Sequence, residues 1–306
     1  MDDSFASPGI DAPSPTLSAR LRELADYLGA PTAGRLTEEQ RALSLGIARR
    51  LVADVAAWLH RDIDADALWR DWLRGGLPGA ERLAATCFAR GEEHRWREQT
   101  MLRGAAPSLV AEPEGGPGED PVAIADKPLS DIERAYLALR IADRRRFDGL
   151  GNPCLAIADL DGELFHALLL DVAAWRLVQG GKDDALAAEL RDAVRTSFAR
   201  HGAERGIDGA AQAYHDILAA SAALPETAAT AIARQDWPTL VALAAAAHSR
   251  RYGDMALALL TAEAATLPSL LAPLRIDRAA LAPLEASLAM LSGRAIAGGF
   301  AGEGPE

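Results

Sequence analysis

Glu163 and His166 stand three residues apart in DGELFHALLLDVAAWRLVQ, close enough on a helix to share a ligand. Helix-bundle di-iron sites use that spacing, but they take two Glu-x-x-His motifs and two further glutamates. The chain holds no second Glu-x-x-His, so no iron site is expected. Asp159, Asp161 and Glu163 resemble the start of a calcium loop, whose last ligand is a glutamate at position 12. Counting from Asp159, that position is Leu170, which cannot ligate. Asp161 is therefore expected to cap a helix and Glu163 to meet its dipole.

Beyond Glu163, the stretch from Leu164 to Val178 is apolar nearly all round, which predicts a buried central helix. His166, Asp171 and Arg176 interrupt it. Buried polar groups must be paired, so these three either satisfy one another or line a pocket. Arg144-Arg145-Arg146 is the one basic run, beside Asp143 and Asp148. It is expected to meet the C-terminal dipole of its own helix, with an acidic or phosphorylated partner surface as the other reading. In GEEHRWRE, Glu92, Glu93, His94, Arg95, Arg97 and Glu98 predict a solvated face, with Trp96 packing inward.

His60, His215 and His248 fall near predicted helix ends, and His201 is followed at once by a glycine. No Gly-x-x-x-x-Gly-Lys-Ser/Thr, Gly-x-Gly-x-x-Gly or His-Glu-x-x-His occurs, and no nucleophile–histidine–acid arrangement can be assembled from the chain. Asp183-Asp184 lacks the further aspartate of an acid-rich magnesium motif. Cys87 and Cys154 make neither a disulfide framework nor a zinc-finger spacing. No catalytic residue, cofactor or metal is therefore expected.

The elements that hold these residues are predicted to be helices throughout. Alanine and leucine dominate, aromatics are only 5%, and no stretch alternates apolar and polar residues as a strand would. The fold class expected is all-α without a sheet. Residues 1–16 (three prolines, little apolar content) predict disorder. Residues 107–128 contain EPEGGPGEDP and predict an acidic linker, where Glu-specific proteolysis should cut first, between Glu112 and Glu119. Two lobes remain, a helical bundle over 17–106 and tandem helix pairs over 129–292, with a flexible tail over 293–306. Thr37-x-x-Gln40 and Ser130-x-x-Glu133 are capping-box patterns that open a helix in each lobe. The segment 156–174 aligns with 231–249 at a shift of 75 residues, matching Asp161 to Asp236. An α-solenoid would produce such an echo.

LTEEQRALSLGIARRLVADVAAWLHRDI (36–63), DGELFHALLLDVAAW (161–175) and QDWPTLVALAAAA (235–247) resemble the bacterial helical-repeat family catalogued as domain of unknown function 2336. The resemblance implies an all-helical, HEAT-like protein and carries no catalytic motif.

The charge balance, 32 basic against 44 acidic residues, is −12. An acidic chain without a basic block disfavours nucleic acid, and no run of about 18 uncharged apolar residues offers a membrane span. Met1-Asp2-Asp3 is acidic where a signal peptide would be positive, so a cytoplasmic location is expected. These features together predict a non-catalytic interaction protein or regulatory scaffold. Its partner is expected to be another protein, with homo-oligomerisation left open. Two alternatives also stay open: a ligand-binding or sensory domain with a pocket beside 162–179, and an enzyme whose site is scattered along the chain.

Overall fold

A computed structural model describes residues 15–29, 36–104, 128–181 and 183–294. Most of the expected N-terminal segment, the linker up to residue 127 and the tail from 295 onward lie outside the described residues. Within them the chain is helical, with no strand and one isolated antiparallel bridge between Phe147 and Pro153. The elements are α1 (Pro15–Gly29), α2 (Glu38–Leu59), α3 (Ala65–Gly75), α4 (Ala80–Gly104), α5 (Asp131–Arg144), α6 (Gly162–Gly180) and α7 (Asp184–Ala203). They continue with α8 (Ile207–Ala220), α9 (Leu224–Ala233), α10 (Trp237–Ala247), α11 (Tyr252–Thr261), α12 (Leu267–Leu271) and α13 (Ala282–Ala289). A short 3-10 turn at Ile157–Asp159 leads into α6.

Side-chain caps fix several helix starts. Thr37 Oγ1 accepts from Gln40 N at 3.2 Å while Gln40 Oε1 accepts from Thr37 N at 3.1 Å, so both halves of the capping box form. Ser130 and Glu133 repeat the arrangement at α5. Asp161 caps α6, accepting from Glu163 N at 2.9 Å and Leu164 N at 3.2 Å, and Asp236 caps α10 through Thr239.

At their other ends α8, α9 and α10 share one device. Ala222, Gln235 and Ser249 each adopt positive φ, and the following amides (Ala223, Asp236, Arg250) donate to carbonyls five residues back. That is a Schellman cap closed without glycine. Ala222→Gly should therefore stabilise the chain by up to about 1 kcal/mol, since only glycine takes that backbone without strain. An unchanged or lower urea midpoint would contradict the assignment.

The apolar side chains form two cores. The first joins α1–α3 and the start of α4 (Leu24, Ile47, Leu51, Leu83, Phe88) to α6 and α7 (Phe165, Leu168, Val172, Leu190). The second joins Trp96 of α4 to α5 and α8–α13. Core membership thus crosses the segment 107–128. Chain nicked there by Glu-specific protease is expected to elute as one species on size exclusion, and two separating fragments would contradict the shared core.

The helix buried all round is α10, in which every residue from Trp237 to Ala246 is buried. Its alanines let neighbouring helices close in on all sides. This corrects the expectation for 162–179. In α6, Leu164, Phe165, Leu168, Leu169, Val172 and Ala173 are buried, but His166, Leu170 and Val178 are exposed. α6 packs mainly on α2 and α7, and Leu170, Ala174 and Val178 on its outer side are exposed.

Candidate functional site

The most heavily charged part of the interior lies on α4. Arg90, Glu92, Glu93, His94, Arg95 and Arg97 are all buried, with Glu93 1% exposed, so the face expected to be solvated is an inner one, and of its residues only Glu98 is exposed. The physical reason is compensation. A charge leaves water only when paired and hydrogen-bonded, and each carboxylate and guanidinium here has such partners, while burial lowers the His94 imidazole toward its neutral form.

Glu93 is the hub. Arg146 donates to both of its carboxylate oxygens, at 2.9 and 2.6 Å, and Arg90 approaches at 3.4 Å. The Tyr252 hydroxyl donates to it at 2.9 Å. Arg97, one turn on, forms a fork-to-fork pair with Asp143 at 2.7 and 3.0 Å. The guanidiniums of Arg90 and Arg97 lie 4.7 and 4.8 Å from the Phe147 ring centre, and that of Arg146 lies 4.4 Å from the Tyr252 ring. Burial alone would raise the Glu93 carboxyl, but Arg146, Arg90 and Arg97 outweigh it and hold the group down at about 2. Burial, with Glu93 beside it, pushes the Tyr252 phenol well above its usual range.

This polar layer separates the two cores along α4, with Phe88 on one side and Trp96 on the other. Trp96 stacks on Trp237 of α10 at 4.8 Å between ring centres. Its indole donates to Ser287 at 2.9 Å, and that of Trp237 donates to Thr100 at 2.8 Å. A second polar chain ties α2 to α4. Gln40 donates to Glu92 at 3.1 Å, and Arg95 reaches Glu92, Glu39 and the Ser292 carbonyl, each at 2.9 Å.

Asp159 extends the cluster toward solvent. Its Oδ2 lies 3.6 Å from Arg146 Nε, and its Oδ1 accepts from the Ile207 amide at the start of α8 at 2.7 Å. Asp208, in the first turn of α8, accepts in the same way from the Tyr252 amide at the start of α11, at 2.7 Å. The N-cap residues of both helices, Gly206 and Arg251, supply no side-chain bond, so these carboxylates replace them. Burial raises the Asp159 carboxyl despite Arg146. Beside this relay lies a cavity of about 90 Å³, bounded by Thr86, Ala89, Leu155, Asp208, Arg251 and Asp254 among others.

The residues singled out from sequence are dispersed. Arg144 and Arg145 are exposed at the end of α5, whereas Arg146 is buried on Glu93 instead of serving the helix dipole. Glu163 is exposed, 3.9 Å from Arg82. His166 is exposed, with its ring 4.9 Å from that of Phe198 on α7. Asp171 is half-buried, and burial raises its carboxyl. Arg176 turns inward, and its Nε has no hydrogen-bond partner. Glu163, His166, Asp171 and Arg176 do not line the cavity beside Asp159. His166→Leu should change stability by less than about 0.5 kcal/mol, as surface substitutions do. A loss above about 2 kcal/mol in urea unfolding would mean that His166 holds an interior contact.

Beyond His166, the outer side of α6 presents an apolar row. Leu170, Ala174 and Val178 follow one another at intervals of four, with Leu170 49% and Val178 80% exposed, and Phe198 of α7, 43% exposed, lies against His166 one turn before them. No group of three or more His, Cys, Asp or Glu side chains that could hold a metal occurs among the described residues. Among them, too, no helix is long and apolar enough to cross a membrane. Comparison with family models, with curated proteins and with solved structures gives no match for this chain.

Proposed function

We propose that this chain is a non-catalytic protein-interaction module of the helical-repeat kind, docking another protein on the outer face of α6. The observation that carries the reading is the exposed row Leu170, Ala174 and Val178, with exposed Phe198 beside His166 at its N-terminal end. A helix apolar on every side is ordinarily buried on every side, and clustered exposed apolar groups mark contact surfaces more often than scattered ones do. The matching caps of α8, α9 and α10 support a repeat-like build. Repeat proteins bind through extended surfaces of this sort.

Leu170→Asp with Val178→Asp tests the face. Both side chains already meet water, so the pair of changes should shift stability by less than about 1 kcal/mol. Complexes recovered with the wild-type chain from cells that make it should be lost. Recovery of the same complexes at the same yield would overturn this docking face.

A further inference from the structure

The cavity between α4, α8 and α11 has donors that are mostly hydrogen-bonded, while each of its carboxylates keeps an oxygen without a hydrogen bond. Arg90 gives Nε–H to the Cys154 carbonyl at 3.1 Å and Nη2–H to the Arg146 carbonyl at 2.8 Å. Arg251 donates to the Asp159 carbonyl at 2.7 Å and lies 3.4 Å from Asp161, and the Tyr252 hydroxyl is held by Glu93. Arg146 Nε is the exception, without a bond and facing Asp159.

The acceptor side is open. Asp159 Oδ2 is buried with no hydrogen-bond partner. Asp208 Oδ2 has Arg251 Nε no nearer than 3.8 Å. Asp254, exposed in the first turn of α11, has no ion pair among the described residues. A buried carboxylate oxygen without a donor is costly, and three carboxylates around one small space favour a ligand that brings N–H groups and positive charge. An anion would meet the same three carboxylates, while Arg90 and Arg146 pair with Glu93 and Arg251 with Asp161, leaving Arg146 Nε, which faces Asp159, as the buried donor without a bond.

Ala85, Ala89, Leu155 and Leu257 give the space an apolar wall. Its size limits the ligand. An apolar cavity of about 150 Å³ takes a six-carbon ring, so the 90 Å³ here holds roughly four heavy atoms. We propose that this cavity binds a small alkylammonium ion, its head group among Asp159, Asp208 and Asp254 and its short stem against Ala89 and Leu257. The site is separate from the α6 docking face and does not depend on it.

Titration calorimetry of the full chain at neutral pH with ethylammonium tests the assignment, with acetate and acetamide as parallel probes. Ethylammonium should bind at one saturable site, and the other two should give no saturable heat. Asp254→Asn should weaken ethylammonium about tenfold, the scale of one charge-assisted hydrogen bond. Because Asp254 is exposed and unpaired, its melting temperature should stay that of the wild type. Asp159→Asn should abolish binding, and its melt reports separately on the lost cap at Ile207. Absence of ethylammonium binding, equal binding of acetate or acetamide, or an Asp254→Asn variant that binds like wild type would each overturn the proposal. Leu170→Asp with Val178→Asp should leave ethylammonium binding unchanged, so this site and the docking face stand or fall separately.

Discussion

Glu93→Gln is expected to cost about 3–5 kcal/mol, the scale of breaking a buried ion pair from one side. The substitution keeps volume and shape but leaves Arg146 and Arg90 buried without their shared counter-charge and takes the anionic acceptor from Tyr252. Each kcal/mol lowers a melting temperature by roughly 2–4 °C in chains approaching this size, so a fall of at least about 6 °C should be seen. The acid limb of the stability profile should change too. The Glu93 carboxyl sits at about 2 in the folded chain against 4.5 as its ordinary value. A depressed carboxyl contributes stability above the unfolded value and loses it as pH falls through the folded one. That difference corresponds to about 3 kcal/mol, present above pH 4.5 and lost between 4.5 and 2. Asp159, raised by burial, works the other way and is relieved by acid. Urea midpoints should therefore fall less steeply below pH 4.5 in Glu93→Gln than in wild type. Equal stability at pH 7 would mean that the cluster is not held by Glu93.

Gly206→Ala should be the most damaging change of a single methyl group. A Cβ there would overlap the carbonyl oxygen of Ala158 and Oδ1 of Asp159. Neither can retreat freely. The first belongs to the 3-10 turn before α6, and the second holds the Ile207 amide at 2.7 Å. Overpacking of this kind costs about 1–3 kcal/mol, and loss of the Asp159 cap adds roughly 1 kcal/mol. Three residues on, Gly209 provides the control. Its added Cβ would lie 3.7 Å from Arg205 Cβ, an ordinary contact with the residue just before the α8 N-cap. Gly209→Ala should stabilise the chain by roughly 0.5–1 kcal/mol through helix propensity. The two alanines should therefore move the urea midpoint in opposite directions. A neutral Gly206→Ala would mean that α8 does not press on the turn at 157–159.

Helix starts were legible because their causes are local. Thr37–Gln40, Ser130–Glu133 and Asp161 each carry the capping chemistry within four residues, and the structure forms all three. The charge cluster was hidden because its partners come from α4, α5, the turn at 157–159 and α11. A signal did exist. Leu83, Cys87, Arg90, His94 and Arg97 recur at spacings of four, three, four and three, so the stripe that is apolar at the start of α4 continues as charge. Charge density in GEEHRWRE suggests a solvated face, whereas register places it inside. For α6 the apolar composition was legible, but which side a neighbour covers depends on packing that no window of the chain contains. Arg146 shows the same limit, since it differs from Arg144 and Arg145 only in facing Glu93.

The central claim, that the outer face of α6 is covered by another protein, is tested most directly by a photocrosslinking residue placed at Val178 in living cells. Asp192, exposed on α7 with its side chain 71% accessible, takes the same residue as the control position. A discrete adduct of one added mass at position 178, absent at position 192 and lost when Leu170 is changed to Asp, is the predicted result. No adduct at 178, or the same adducts from both positions, would contradict it.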